Sequence, residues 1–200
     1  MNYPSKLIET AVNEISRLPS IGRKSALRLA LHLLEREPAE VKRLLQAIED
    51  LVEKTQYCTQ CHAISDTPLC HVCSSPKRDR SVICVVGNIS DFMAIENTAQ
   101  YNGLYHILGG LISPIEGVEA SDLNIPTLLE RAAQPETQEI ILALSASMEG
   151  ETTAFYLTKL LKEKEVCIST IARGVPIGGE LEYTDEVTLA RSIAKRIRYE

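Results

Sequence analysis

Between Lys6 and Leu18 the apolar residues fall at Leu7, Ile8, Ala11, Val12, Ile15 and Leu18, the three-and-four spacing of one helix face. Pro19 and Gly22 interrupt the pattern, and Arg23–Glu35 restarts it as a second helix. Pro38 suits the first turn of a third helix, whose core face is predicted to be Val41, Leu44, Leu45, Ile48, Leu51 and Val52. Residues 1–56 thus read as a small all-helical unit. Its second helix carries Ala26, Leu27, Leu29, Ala30, Leu31, Leu33 and Leu34, which is apolar over more than one face. So small a unit can bury one face internally, and the surplus points to self-association.

Residues 57–80 lack periodicity and hold four cysteines among prolines and serines. From Ser81 the pattern changes. SVICVV is a short apolar, β-rich run, and a helical segment follows over residues 90–100. Further strand-like runs lie at Leu104–Leu108, Glu139–Leu144 and Val166–Ile171, with helical stretches at Pro126–Ala133, Glu151–Lys164 and Glu186–Arg198. Strands alternating with helices predict a mostly parallel sheet covered on both faces, so the chain reads as an α+β protein in several parts.

Composition narrows the partners. At 200 residues, 44% hydrophobic and 24% charged, the chain is an ordinary globular one. No apolar run approaches the roughly 18 residues of a membrane span, and the N-terminus lacks an unbroken apolar signal core, so a cytoplasmic protein without a membrane partner is expected. A net charge of −6 argues against a general coat of positive charge for nucleic acid, though not against a local basic patch. Two Phe, seven Tyr and no Trp weaken any reading in which single strands stack along aromatic platforms. The charge is also uneven: residues 1–80 carry 12 basic and 10 acidic groups, residues 81–200 carry 9 and 17. Such asymmetry suggests two parts with different partners.

Cys58-x2-Cys61-x8-Cys70-x2-Cys73 is the strongest chemical signal. Each CxxC places two thiolates on one turn, and two such pairs supply the tetrahedral sulfur set of a structural zinc. His62 and His71 stand close enough to substitute as ligands. Disulfides or unrelated buried thiols are the alternatives, and a cytoplasmic chain disfavours disulfides. Four protein ligands close the coordination shell, so one zinc ion per chain would hold the loop together without activating water. Cys84 and Cys167 fall in predicted strands and are expected to be buried apolar thiols.

The segment LPSIGRKSALRLA matches a helix-hairpin-helix module. A tight turn there aims backbone N–H groups outward at a helix start, where a phosphate oxygen can bind; Gly22 permits close approach, and Arg23, Lys24 and Arg28 add charge. Contacts of this kind position a DNA backbone without reading bases. Ser20 stands where such hairpins often have glycine, and an ordinary helical connection with solvated charges is the alternative.

The order of hairpin, four-cysteine motif and α/β half resembles the bacterial recombination mediator RecR family across essentially the full chain. The matching stretches are LPSIGRKSALRLALHLL, the cysteine cluster, AIENTAQYNGLYHILGGLISPIEGV, EGETTAFYL and GVPIGGELEYTDEVTLARS. The resemblance implies a helix-hairpin-helix domain (1–56), a four-cysteine zinc finger (57–80), a Toprim domain (81–176) and a C-terminal segment with a helix (177–200). It also implies a homotetrameric ring that clamps DNA in the cytoplasm, at the nucleoid. RecO and RecF are the partners it implies, in loading RecA onto single strands coated by SSB during the repair of DNA damage.

A catalytic Toprim needs a glutamate after its first strand and a later Asp-x-Asp motif, a carboxylate cluster suited to Mg²⁺. Here Gly87 and Asn88 stand at the first place, and Ser145 and Ser147 at both aspartate positions, leaving Glu149 and Glu151. The family's C-terminal part is sometimes likened to a Walker B segment, for which Val166–Ile171 or Asp185-Glu186 are the nearest candidates. No GxxxxGK[ST] phosphate loop accompanies them. Gly174, Gly178 and Gly179 fit a flexible or tight-turning connection, and Tyr183 and Asp185 beyond it fit either an exposed site or a helix start capped by Thr184 or Asp185. Three readings follow: a non-enzymatic DNA clamp and adaptor with no catalytic residue, a Mg²⁺-dependent Toprim enzyme using Glu149 and Glu151, or a zinc protein acting only as a structural subunit. The lost carboxylates favour the first.

Overall fold

The computed structural model describes residues 3–196. The chain forms two compact units, the first ending at Thr55 and the second beginning at Gln56.

In the first unit, α1 (Lys6–Ile15) starts where the Ser5 hydroxyl accepts from the Leu7 amide. It stops at Ile15, not Leu18, because the chain tightens there: Arg17 N donates to the Glu14 carbonyl and Leu18 N to that of Ile15. α2 (Arg23–Leu34) packs on α1 through a small core of Val12, Ala26 and Ala30, flanked by half-buried Ile8, Ile15, Ile21 and Leu27. α3 (Pro38–Lys54) has Pro38 in its first turn, as its sequence predicts. Its predicted core face is not a core in this chain: no residue of α3 is buried, and Leu44, Leu45, Ile48, Leu51 and Val52 are all exposed. The periodicity correctly marks a face that seeks apolar contact, but α1 and α2 bury only each other. The surplus on α2 is likewise uncovered, at Leu29, Leu31 and Leu34.

The second unit opens with a miniature antiparallel pair, β1 (Gln56–Tyr57) and β2 (Ile64–Ser65), and a single helical turn, α4 (His71–Ser74). These elements are too short to leave a period. A four-stranded sheet follows, built from β3 (Asp79–Val86), β4 (Gly103–Ile107), β5 (Glu139–Leu142) and β6 (Cys167–Thr170), in the order β4-β3-β5-β6 with every neighbouring pair parallel. The connections are α5 (Ile89–Glu96), α6 (Ile125–Ala132) and α7 (Met148–Leu161). Successive residues of a strand point to opposite faces, and β3 and β4 bury runs of them, Ile83–Val86 and the whole of 103–107, so both faces of the sheet are covered at these two strands. Phe92, Leu128, Leu157 and Leu161 complete that core.

Cys84, at the sheet centre, is buried as expected. Cys167 is exposed, contrary to expectation: the edge strand β6 is left uncovered at both ends, at Cys167 and Thr170, whereas β4 on the opposite edge is buried throughout. β5 also ends earlier than its apolar run, at Leu142, while Ala143 and Leu144 continue buried beyond it, Ala143 N still donating to the Val85 carbonyl of β3 at 2.9 Å. Beyond β6, Gly178 takes φ +84 in a turn that Gly179 N closes onto the Pro176 carbonyl, the plain turn reading of these glycines. Asp185, not Thr184, caps α8 (Glu186–Ala194) by accepting from Thr188 N, and Tyr183 is exposed. α8 ends at Ala194, and Lys195 and Arg196 are already outside the helix, short of the predicted end at Arg198, which itself lies outside the described residues.

Candidate functional site

The four cysteines converge. All four Sγ atoms lie within 4.8 Å of one another and all four residues are buried. Backbone geometry aims donors at them: Cys70 N lies 3.4 Å from Cys58 Sγ, and Cys73 N lies 3.5 Å from Cys70 Sγ. The 3.5 Å contact between Cys61 and Cys70 pushes the Cys61 thiol up and holds that of Cys70 down, one proton serving two sulfurs. That is a donor set a divalent, sulfur-seeking cation fits by displacing protons. The histidines are not needed. His62 turns away to Thr127 Oγ1 at 2.8 Å, and His71 is exposed on α4.

Nothing in the local sequence signals what holds this loop in place. Ile107 N donates to the Cys61 carbonyl at 2.9 Å, fastening the first cysteine pair to the end of β4. Arg131 on α6 donates to the Gln60 carbonyl at 3.3 Å, and Arg80 on β3 to the Cys73 carbonyl at 3.3 Å. Arg131 is separated from Gln60 by 71 positions, so no local pattern could announce the pair.

In the first unit the turn before α2 takes the predicted form. Ser20 sits at φ +65, the left-handed region where glycine is usual, which explains the preference from which this chain departs. Gly22 is the N-cap of α2, and no side chain caps the helix, no acidic residue lies in its first turn, and the first intrahelical bond is Ala26 N to the Gly22 carbonyl. A side chain added at Gly22 would meet nothing within 4 Å. Five other helices, α1, α4, α5, α7 and α8, are capped by the side chains of Ser5, Cys70, Asn88, Ser147 and Asp185, while α3 and α6, like α2, have no side-chain cap. Arg23, Lys24 and Arg28, in the first two turns of α2, are all exposed. The arrangement can receive an anion and offers nothing that reads a base.

At the carboxyl ends of β3 and β5 the degenerate acidic positions come together differently from a metal cage. Gly87 is buried at the end of β3, where a Cβ would press on Leu111 at 3.2 Å. Ser145 and Ser147 hydrogen-bond each other at 3.0 Å, and the Ser147 hydroxyl accepts from Gly150 N as the N-cap of α7. Gly150 is obligatory here, because a Cβ would lie 2.0 Å from the Ser145 carbonyl oxygen. Glu149 is held below the ordinary carboxylate range by its own backbone amide and by Ser147, while Glu151 is ion-paired with Arg173. The two serines spend their hydroxyls on the turn, and one remaining carboxylate on an arginine. Among the described residues, the four cysteines are the one cluster suited to a metal.

Comparison with known proteins accounts for the whole arrangement. The RecR helix-hairpin-helix model matches residues 8–52, the RecR four-cysteine zinc finger domain 55–75, the Toprim domain 81–172 and the RecR C-terminal model 174–197. Recombination protein RecR of Amoebophilus asiaticus is 59% identical over 199 residues, covering 100% of both chains. Those of Cytophaga hutchinsonii and Flavobacterium johnsoniae are 57% and 54% identical over 100% of this chain and 98% and 97% of their own. The chain belongs to the RecR family. As a RecR-family member with a four-cysteine zinc finger and a converged thiolate set, it carries one structural zinc at Cys58, Cys61, Cys70 and Cys73. Its relatives' name places it among recombination proteins, and its α/β half is a Toprim domain. No helix among the described residues is long and apolar enough to cross a membrane.

Proposed function

We propose that this RecR-family chain is a DNA-binding clamp and adaptor in recombinational repair, and that its Toprim domain performs no chemistry. The observation that carries the reading is the open N-terminus of α2, where Gly22 leaves the first amides without a side-chain cap and exposed Arg23, Lys24 and Arg28 follow within the first two turns. Such a site gives a few phosphate contacts and no sequence preference, so one chain binds weakly. Several hairpins around one DNA gain affinity through effective concentration. The uncovered apolar faces of α2 and α3 suit further copies of this chain, consistent with a homotetrameric ring.

The division of labour follows four parts: hairpin (1–56), zinc finger (57–80), Toprim (81–176) and C-terminal segment (177–200). The acidic Toprim side offers complementary charge to basic partner surfaces. Those partners are RecO and RecF, with which the chain helps load RecA onto SSB-coated single strands in the cytoplasm, at sites of DNA damage on the nucleoid. Absence of chemistry is supported by Gly87, Ser145 and Ser147 at the places of metal carboxylates, and by the pairing of Glu151 with Arg173.

The test is incubation of the full chain with supercoiled plasmid and Mg²⁺. The reading predicts retarded plasmid with its superhelicity unchanged. Nicking or relaxation that disappears in Glu149→Ala would replace the clamp with a Toprim enzyme.

A further inference from the structure

A zinc ion bound by four thiolates leaves a centre with a net charge of two minus. A centre of that charge held by buried residues needs compensation. The described residues hold six ion pairs, and Arg131 is in none of them. Its two Nη1 protons are shared among three acceptors: the Tyr105 carbonyl at 2.7 Å, His106 Nδ1 at 3.2 Å and the Gln60 carbonyl inside the first cysteine pair at 3.3 Å. Its Nη2 is buried and has no hydrogen-bond partner at all. A guanidinium fixed by neutral acceptors on one side and left unpaired on the other requires a source of negative charge nearby. Burial draws Arg131 below its ordinary range, and the sulfurs of Cys73, Cys61 and Cys58 act in the opposite direction. Arg80 makes the same kind of contact with the second pair, through the Cys73 carbonyl, but it is exposed, where solvent screens its charge.

We propose that Arg131 is the counter-charge and positioning residue of the zinc centre. Its guanidinium offsets the excess negative charge of the thiolates while its bonds to Gln60 and Tyr105 fasten the first cysteine pair to β4. The finger is thereby joined to the Toprim sheet by charge as well as by the Ile107–Cys61 backbone bond, and retention of zinc depends on a residue far outside the motif. Arg80 contributes little by comparison.

The test uses the full zinc-loaded chain and follows transfer of zinc to a chromogenic chelator, with folding checked by circular dichroism. Arg131→Gln is expected to lose zinc about tenfold faster, the effect of losing an outer partner of a metal site, while Arg131→Lys and Arg80→Gln stay within about threefold of the parent. In the cobalt(II)-substituted chain, the thiolate-to-metal charge-transfer band moves to lower energy in Arg131→Gln and stays in place in Arg131→Lys, a distinction that loss of packing alone would not produce. Equal release from Arg131→Gln and the parent, or the same band shift in the Gln and Lys variants, would overturn the proposal. If Arg131→Gln is not recovered folded, the lysine variant decides: release within about threefold of the parent upholds the counter-charge, and a tenfold rise overturns it.

Discussion

Acid should weaken the second unit through one imidazole. His106 is fully buried on β4; its Nε2 donates to the Asn124 carbonyl at 2.7 Å and its Nδ1 accepts from Arg131 at 3.2 Å. The second bond requires a neutral ring, since a proton on Nδ1 would face the guanidinium; the first survives protonation and opposes the shift only in part. Burial first, and the Arg131 charge after it, push His106 down to about 3. The unfolded chain restores an ordinary value near 6.5, so below that pH the unfolded state binds a proton the folded state refuses. Stability from this group is therefore complete above about pH 6.5 and is lost as pH falls toward 3, at about 1.4 kcal/mol per pH unit, or about 2 kcal/mol by pH 5. Urea unfolding of the parent and of His106→Gln, followed by tyrosine fluorescence from pH 7.5 to 5, isolates the term, because the cysteines and carboxylates titrate in both and cancel. Glutamine can still donate to the Asn124 carbonyl but cannot take a proton. A difference between the two proteins that shrinks by about 2 kcal/mol over this range supports the reasoning. A flat difference refutes it, as would a His106 ring resonance that titrates near its ordinary value in the folded chain.

Substitutions at three further sites test local geometry. Gly150→Ala places a methyl 2.0 Å from a backbone oxygen that cannot move without dismantling the Ser147 cap, so a loss of about 3 kcal/mol in urea unfolding is expected. Gly87→Ala meets only the flexible Leu111 side chain at 3.2 Å and should cost under about 1 kcal/mol; equal costs at the two sites would contradict the account. At the hairpin, Ser20→Gly removes the strain of a left-handed serine and should stabilise the first unit by about 0.5 kcal/mol, while Ser20→Val should destabilise it by about 1 kcal/mol or more. The reverse order in thermal unfolding would show that the turn has another shape.

Features carried by local pattern were legible in the sequence. The helical stripes, the parallel strands and the paired CxxC motifs each depend on neighbours a few positions apart, and each forms close to its predicted bounds. What escaped depends on contacts the chain makes at a distance, or does not make. The stripe of α3 says that an apolar face exists and is silent on what covers it; among the described residues nothing buries it. The apolar run around Cys167 reads like that around Cys84, yet one lies on an edge strand and the other at the sheet centre. What the rest of the chain lays over each strand separates them, since the other edge strand, β4, is buried throughout. Arg131 looked like any charged residue near a helix C-terminus, where such a charge needs no further explanation. Only the fold brings it to Gln60, Tyr105 and His106. Net charge alone would have misled as well, since the −6 is the sum of a slightly basic first part and a strongly acidic second one.

The central claim is that the open end of α2 holds DNA phosphates, and the salt dependence of binding tests it most directly. The measurement is the affinity of the full chain for labelled duplex across a series of salt concentrations, with Lys24→Ala/Arg28→Ala alongside. Each phosphate contact contributes about 0.9 to the slope of log K against log salt on duplex DNA, so the double variant should lower the magnitude of the slope by about 1.8 for every hairpin engaged. On single strands, at about 0.7 per contact, the same change is about 1.4. A weaker affinity with that flattened slope is the predicted result. An unchanged slope in the double variant would place the DNA elsewhere on the molecule and contradict the account.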